Sequence, residues 1–302
     1  MIVAAGLGTR LLPLTQLRPK PAVPIRGIPL LAYNLALLHR HGVREVVVNV
    51  HHLPELLMET ARRYCPEGLH LHFSFEKELL DTGGGIRRVV DFLRESDPCL
   101  LLGGDMLLDT DLGALVEEHR ARGDAVTMLL REDPRVMRFG SVGVDDGGRV
   151  RRVGGALDLG GETRAGIYVW ANVVSRAALD TLPEREIFSH FSGWLCPLLE
   201  AGARDIRGVF PACRWEPVGT PAEYLEVNLT RLPGALDADA RARAEGTRFE
   251  RECVIGAGAT LGAGARLRRV VVWEGERVPA GLNAENGVFA GGVFHPVPND
   301  PA

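Results

Sequence analysis

The chain has 302 residues, 46% of them apolar and 25% charged, with a net charge of −4. That is an ordinary globular composition with room for one large domain and a smaller one. The acidic balance argues against a nucleic-acid or membrane-surface partner, and no apolar run is long enough to span a bilayer.

Met1 opens directly on a core strand, which predicts no signal peptide, although so abrupt a start leaves room for an earlier beginning. Ile2–Ala5 reads as that strand. It runs into a glycine turn, Gly6-Leu7-Gly8-Thr9-Arg10, and a proline-braced loop then presents Lys20. Glycines let backbone N–H groups close around a phosphate. Arg10 adds a planar fork of charge and Lys20 a point charge. The segment is therefore read as a polyphosphate site. Rossmann and Walker A loops are excluded, because Leu11 stands where the third Rossmann glycine belongs and no Gly-Lys-Ser/Thr occurs.

Pro29 to His41 reads as a helix, with proline at its start and Gly42 past its end. Glu45–Val50 reads as a strand buried on both faces, from its consecutive valines. Leu53–Tyr64 is predicted helical, His70–Phe75 a strand, Gly84–Arg94 helical and Cys99–Leu102 a strand. Asp111 caps a helix through Arg122 that Gly123 ends, and Ala125–Leu130 is a strand. This alternation predicts an α/β fold: a doubly wound, mainly parallel sheet with ligands at the carboxyl ends of its strands. A hairpin over 140–153, a strand Ala165–Trp170, a mostly helical Phe188–Ala201 and a helix Pro221–Leu232 complete a first domain, 1–232.

Residues 233–250 read as a helical linker, rich in Ala, Asp and Arg and exposed over 233–248. In the tail, 251–302, Ile255-Gly256, Leu261-Gly262 and Leu267-Arg268 recur every six residues, with Trp273 next in phase. That is the hexapeptide signature of a β-helix. So few repeats cannot bury a core alone, which predicts packing on the main domain or on another subunit, and hence a possible homo-oligomer through the tail. The repeats contain no histidine, which argues against a second, acyl-transfer activity.

The five cysteines, Cys65, Cys99, Cys196, Cys213 and Cys253, are odd in number and lack a Cys-x-x-Cys spacing. They read as reduced, mostly packed thiols of a cytoplasmic protein, and no zinc site is expected. Arginine is plentiful, yet the lysines are Lys20 and Lys77 alone, which adds weight to an ammonium being needed at Lys20.

Residues 3–25 resemble the signature loop of the sugar-1-phosphate nucleotidyltransferases, L-A-A-G-x-G-T-R-L-x-P-L-T-x-x-x-P-K-P-x-x-P-V, with Val3 and Ile25 as conservative departures. Leu100-Leu101-Leu102-Gly103-Gly104-Asp105 resembles the family's apolar strand ending in G-G-D or N-G-D. Leu80-Asp81-Thr82-Gly83-Gly84-Gly85-Ile86 is similar to its nucleobase segment and is nearest the N-acetylmuramate-1-phosphate uridylyltransferases. The hexapeptide tail resembles that of the mannose-1-phosphate guanylyltransferases, and implies a left-handed β-helix. Phe139-Gly140-Ser141-Val142 and Thr163-Arg164-Ala165-Gly166-Ile167-Tyr168 resemble two sugar-facing segments.

The resemblance implies an enzyme making an NDP-sugar and pyrophosphate from an NTP and a sugar 1-phosphate, with Mg2+ as cofactor. It implies Arg10 and Lys20 as catalytic cations, and Ala4, Ala5, Gly6, Leu7, Gly8, Thr9, Arg10, Lys20, Thr82 and Gly83 as nucleotide-binding residues. Gly140, Ala165 and Gly166 face the sugar, and Asp105 binds metal. Guanine and uracil are the expected bases.

Two departures touch the site. The family's W-x-D-V-G-T-P reads Trp215-Glu216-Pro217-Val218-Gly219-Thr220-Pro221, so a proline replaces the second metal Asp. Glu216 is adjacent, but strand neighbours face opposite ways, so it serves only if the proline shifts the backbone. The family's second lysine has no counterpart except, by position, Arg151, Arg152 or Arg164. These losses motivate an alternative, a catalytically impaired regulatory protein that binds a nucleotide sugar.

Overall fold

Val46, Val48 and Val50 enter one apolar cluster and Val47 the other. The strand Glu45–Val50 is thus buried on both faces, as its run of valines predicts. Leu101 and Leu102 divide in the same way, so the central sheet lies between two hydrophobic layers. The computed structural model describes residues 1–136, 140–230, 238–250 and 252–298.

The sheet is mixed and mainly parallel in its first half. His70–Phe75, Glu45–Val50, Ile2–Val3 and Cys99–Gly103 lie side by side and parallel. Arg164–Val174 then pairs antiparallel with Cys99–Gly103. Its outer edge is shared by Val142–Val144 and by Val126–Arg131, and the latter pairs in parallel with Ile206–Val209. Helices Leu30–Arg40 and Pro54–Arg63 connect the parallel strands. Helix Leu112–Arg122 begins on Asp111, whose side chain accepts the Ala114 N–H at 3.0 Å, and it ends on left-handed Gly123.

Several predicted elements differ. The helix expected from Gly84 begins at Asp81, runs to Arg88 and resumes over Val90–Leu93. Its glycines are helical because other chain segments press on them: a Cβ on Gly83 would lie 2.3 Å from Phe188, and one on Gly84 2.1 Å from the Glu186 carbonyl. Phe188–Ala201 starts with a π-helical turn, Phe191–Leu195, before Cys196–Glu200. The exposed linker is in part a docked one. Helix Ala238–Ala244 buries Ala242 beside Ile28 and Tyr64, and Asp239 pairs with Arg26 at 2.6 Å. Arg248–Glu250 is already a strand of the tail.

In the tail, every parallel pair joins residues 17 apart: Val254 with Val271, Thr260 with Arg277, Arg266 with Asn283 and Val271 with Val288. Gly256 and Gly262 sit where successive turns stack, since a Cβ there would meet the Glu274 and Ala280 main-chain nitrogens at 2.5 and 2.3 Å. The tail packs on the chain's own main domain. Val254, Val271, Trp273 and Val288 share a cluster with Leu11, Leu14, Ile25 and Tyr224. No helix of the described residues is long and apolar enough to cross a membrane. All five cysteines are free.

Candidate active site

The carboxyl ends of Ile2–Val3 and Cys99–Gly103 deliver the glycine loop and Asp105 to one place. Gly8 is left-handed, with φ of 66°, and a Cβ on it would lie 2.8 Å from Thr15 Cγ2. Both facts demand glycine. Thr15 Oγ1 donates to the Gly8 carbonyl at 3.0 Å and closes the turn. Gly6 has open space where its Cβ would be. The strand end is tied to the Thr82 segment through buried groups. Asn49 Oδ1 accepts the Ala4 N–H at 2.7 Å and Asn49 Nδ2 donates to Glu76 at 2.7 Å. Glu76 in turn accepts the Leu80 N–H at 3.1 Å.

Two cavities adjoin across Arg10, Lys20, Asp105, Trp170 and Gly219. The smaller, about 270 Å3, is lined by Ala4, Gly6, Gly8, Thr9 and Thr82 as well. Ala5 and Leu7 belong to the same loop without lining it. Gly83 is turned away, for its N–H donates to the Phe188 carbonyl at 2.8 Å. The larger cavity, about 600 Å3, has Gly140 at its edge. Ala165 and Gly166 sit instead in the sheet, paired with Gly143 and Val142. Phe139 lies outside the described residues.

Lys20 is only 7% exposed, and its Nζ donates to Asp105 Oδ2 at 2.8 Å. The Asp105 side chain keeps 44% exposure, towards the cavities. Desolvation pushes its pKa up, but the Lys20 ammonium, with Arg10 further off, outweighs that and holds the carboxyl below its usual range. Asp105 is therefore an anion at neutral pH. It is also the one carboxylate lining either cavity among the described residues.

Pro217, rather than Glu216, lines the larger cavity. It pairs with Met106 across the strands Cys213–Pro217 and Met106–Thr110, and the Val218 N–H donates to the Asp105 carbonyl at 3.3 Å. The Glu216 carboxylate lies 3.7 Å from Arg135 and 4.0 Å from Arg214. The structure thus does not bring Glu216 to Asp105. A single carboxylate fits Mg2+ only if substrate phosphates and waters complete the octahedron, which is how this cation is usually held. Of the three arginines, Arg152 donates to the Oγ of Ser141, a cavity-lining residue, at 2.8 Å. Arg151 donates to the Gly160 carbonyl and Arg164 to Glu132.

Of the larger cavity's aromatic wall, the sequence singles out Tyr168 alone, at the end of a segment that resembles a sugar-facing strand. Tyr168, Trp170, His190 and Phe191 form the wall, with ring centroids 4.4 Å apart for Trp170–His190 and 4.3 Å for His190–Phe191. Trp170 is left-handed at φ 53°, at the break in register between Arg164–Val174 and Val126–Arg131. Glycine at 103 makes room for it, as a Cβ there would lie 2.8 Å from the Trp170 Cβ. Such a bulge re-aims a side chain and is commonly placed beside functional sites. Strand alternation does not place Trp170, because the register breaks between Tyr168 and Asn172.

Fold and loop together define a phosphate-handling α/β enzyme class. Residues 1–232 match the family model described as nucleotidyl transferase, and the chain belongs to that family. It is 30% identical to the mannose-1-phosphate guanylyltransferase of Mycobacterium tuberculosis, over 94% of this chain and 82% of that one. It is likewise 30% identical to the UTP–glucose-1-phosphate uridylyltransferase of Synechocystis, over 74% of this chain and 61% of that relative. HddC from Yersinia pseudotuberculosis shares the fold, with a TM-score of 0.63 at 22% identity, covering 75% of this chain and 96% of that one. The chain is an enzyme of the sugar-1-phosphate nucleotidyltransferase kind.

Proposed function

We propose that this enzyme joins an NTP to a sugar 1-phosphate with Mg2+ dependence, using GTP with a mannose 1-phosphate-like acceptor or UTP with a hexose 1-phosphate-like one. The observation that carries the reading is the convergence of Arg10, Lys20 and Asp105 where the two cavities meet. The smaller cavity takes the nucleotide and the larger the sugar. A phosphate oxygen of the sugar 1-phosphate attacks the α-phosphorus. The bond from that phosphorus to the β-phosphate bridge breaks, and the electron pair leaves on pyrophosphate. The nucleophile is already an anion, so the protein needs no general base. Its task is to align two polyanions and neutralise them.

Glycine-loop N–H groups, Arg10 and Lys20 hold the phosphates. Asp105 would hold Mg2+ together with the NTP's own oxygens, and the ion would supply charge neutralisation at the α-phosphate. Lys20 already meets Asp105 at 2.8 Å. The tail is read as a short β-helix, supported by its constant 17-residue offset. A cytoplasmic setting agrees with the free cysteines.

The test is pyrophosphate release across a matrix of common NTPs and hexose 1-phosphates, with Asp105→Ala beside the wild type. Turnover in one combination, reduced by about two orders of magnitude or more in the variant, is the expected outcome. The regulatory reading rests on Pro217 in the cavity wall. Silence throughout the matrix, with NTP or NDP-sugar binding retained, would establish it instead.

A further inference from the structure

Both ends of the glycine loop are held from one place, the carboxyl end of strand Glu45–Val50. Buried Asn49 accepts the Ala4 N–H ahead of the loop. Three residues on, the Nε2 of half-buried His52 lies 2.7 Å from the Thr15 carbonyl beyond the loop. A carbonyl oxygen only accepts, so Nε2 carries a proton and donates. His51, between them, serves a different segment, with its Nδ1 2.9 Å from the Glu76 carbonyl.

Thr15 connects His52 to the loop itself. It is buried, its Cγ2 fills the space that a Cβ on Gly8 would need, and its Oγ1 donates to the Gly8 carbonyl. The Leu11 N–H donates to the same oxygen at 2.9 Å. The peptide from Gly8 to Thr9 is trans and planar, so fixing that carbonyl also fixes the Thr9 N–H on the opposite side. Gly8 and Thr9 both line the smaller cavity. One hydrogen bond from His52 therefore reaches, through Thr15, a peptide that a bound polyphosphate would meet.

The backbone that presents His52 is itself held against local preference. Leu53, the next residue, is left-handed at φ 46°. It carries a Cβ and precedes Pro54, and both features favour extended backbone instead. Such conformations persist only where the surroundings impose them, and they cluster at functional sites.

We infer that His52 is a positioning residue for the phosphates of the nucleotide. It lines neither cavity, so it acts through Thr15. His52 holds one end of the glycine loop and Asn49 the other, and the loop is set before the nucleotide arrives. This rests on the nucleotidyltransferase reading of the smaller cavity and adds a residue from outside the loop's own run.

The experiment compares wild type with His52→Leu and His52→Ala, which remove the donor while keeping or vacating its bulk. His52→Gln is the rescue, since its amide can donate in place of the imidazole. Calorimetry with Mg2+ gives Kd for GTP, UTP, GMP, UMP and inorganic pyrophosphate, and turnover gives KM for the sugar 1-phosphate. A monophosphate lacks the two outer phosphates and is the internal control. The Leu and Ala variants are expected to bind NTP and pyrophosphate about ten-fold more weakly, with less than about a two-fold change for the matching NMP and for KM of the sugar 1-phosphate. His52→Gln recovers most of the NTP affinity. Thermal unfolding is followed in parallel, because a packing role alone lowers Tm without separating NTP from NMP. Equal weakening of NTP and NMP overturns the inference. So does an NTP affinity unchanged in both donor-less variants, or a Gln variant no better than Leu. If wild type binds neither NTP nor pyrophosphate, the nucleotide reading of the smaller cavity is itself overturned, and this inference falls with it.

Discussion

His190 shows how a single residue records its surroundings. Burial pushes its pKa down to about 3, so the folded protein keeps a neutral ring while the unfolded chain takes up a proton near pH 6.5. The unfolded state binds more protons throughout that window, so stability falls as pH drops from about 6.5 towards 3. The limiting slope is about 1.4 kcal/mol per pH unit for this one group. His190→Gln removes the titration. Urea unfolding at several pH values between 6.5 and 4 is therefore expected to show a shallower decline in the variant, and parallel declines would refute the burial argument. None of this was legible in the chain, because the partners of His190 come from Thr82 and Trp170, far off in sequence. Arg10, Lys20 and Asp105 were legible for the opposite reason. Each sits in a contiguous run whose glycines and prolines declare the local backbone, and the structure brings the three to one place.

At the scale of elements, period and caps carried most of the information. Glu45–Val50 and His70–Phe75 fall where alternation and burial put them, and Leu112–Arg122 is bounded by its Asp and Gly as expected. What periodicity cannot convey is a break in register, and the aromatic wall depends on two such breaks. The helix Asp81–Arg88 was displaced for a related reason. Three glycines argue against a helix by propensity, yet close approach of Phe188, Glu186 and Asn49 requires them there. Strand alternation did foresee Glu216, which stands on the side away from Pro217, among arginines. This geometry leads to a prediction about the strand Cys213–Pro217. With one carboxylate, and that one paired to Lys20, the free enzyme is expected to hold a divalent cation weakly. Pro217→Asp adds a second carboxylate on the cavity side. Mn2+ titration followed by electron paramagnetic resonance, without nucleotide, should then give at least about ten-fold tighter binding than wild type. An unchanged Kd would mean that position 217 does not face Asp105 closely enough to share an ion.

Over the whole molecule, the tail and the phosphate loop form one packed unit. Within the tail the apolar residues divide between two partners. Ile255, Val272 and Phe289 fill its own interior, whereas Val254, Val271 and Val288 face Leu11, Leu14 and Ile25 beneath the loop. The runs Cys253-Val254-Ile255 and Val270-Val271-Val272 already show both alternating sets to be apolar, so a second buried face was readable in the sequence; which surface it meets was not. Tyr224 fixes the contact. Its hydroxyl donates to the Pro24 carbonyl at 2.7 Å and accepts from Trp273 Nε1 at 2.8 Å. Arg18 lies over the Trp273 ring and pairs with Glu274 at 2.5 Å. Pro24 and Arg18 bracket Lys20 in the chain, so the tail braces the segment that carries Lys20. Tyr224→Phe keeps the packing but strands both the Pro24 carbonyl and the Trp273 N–H in a buried setting. It should cost about 1–3 kcal/mol of unfolding free energy, read by urea titration. If the brace also sets the position of Lys20, the Kd for NTP rises in the same variant under conditions where it remains fully folded. Loss of stability with an unchanged Kd would assign the tail a purely structural part, and would leave the placement of Lys20 to its bond with Asp105 alone.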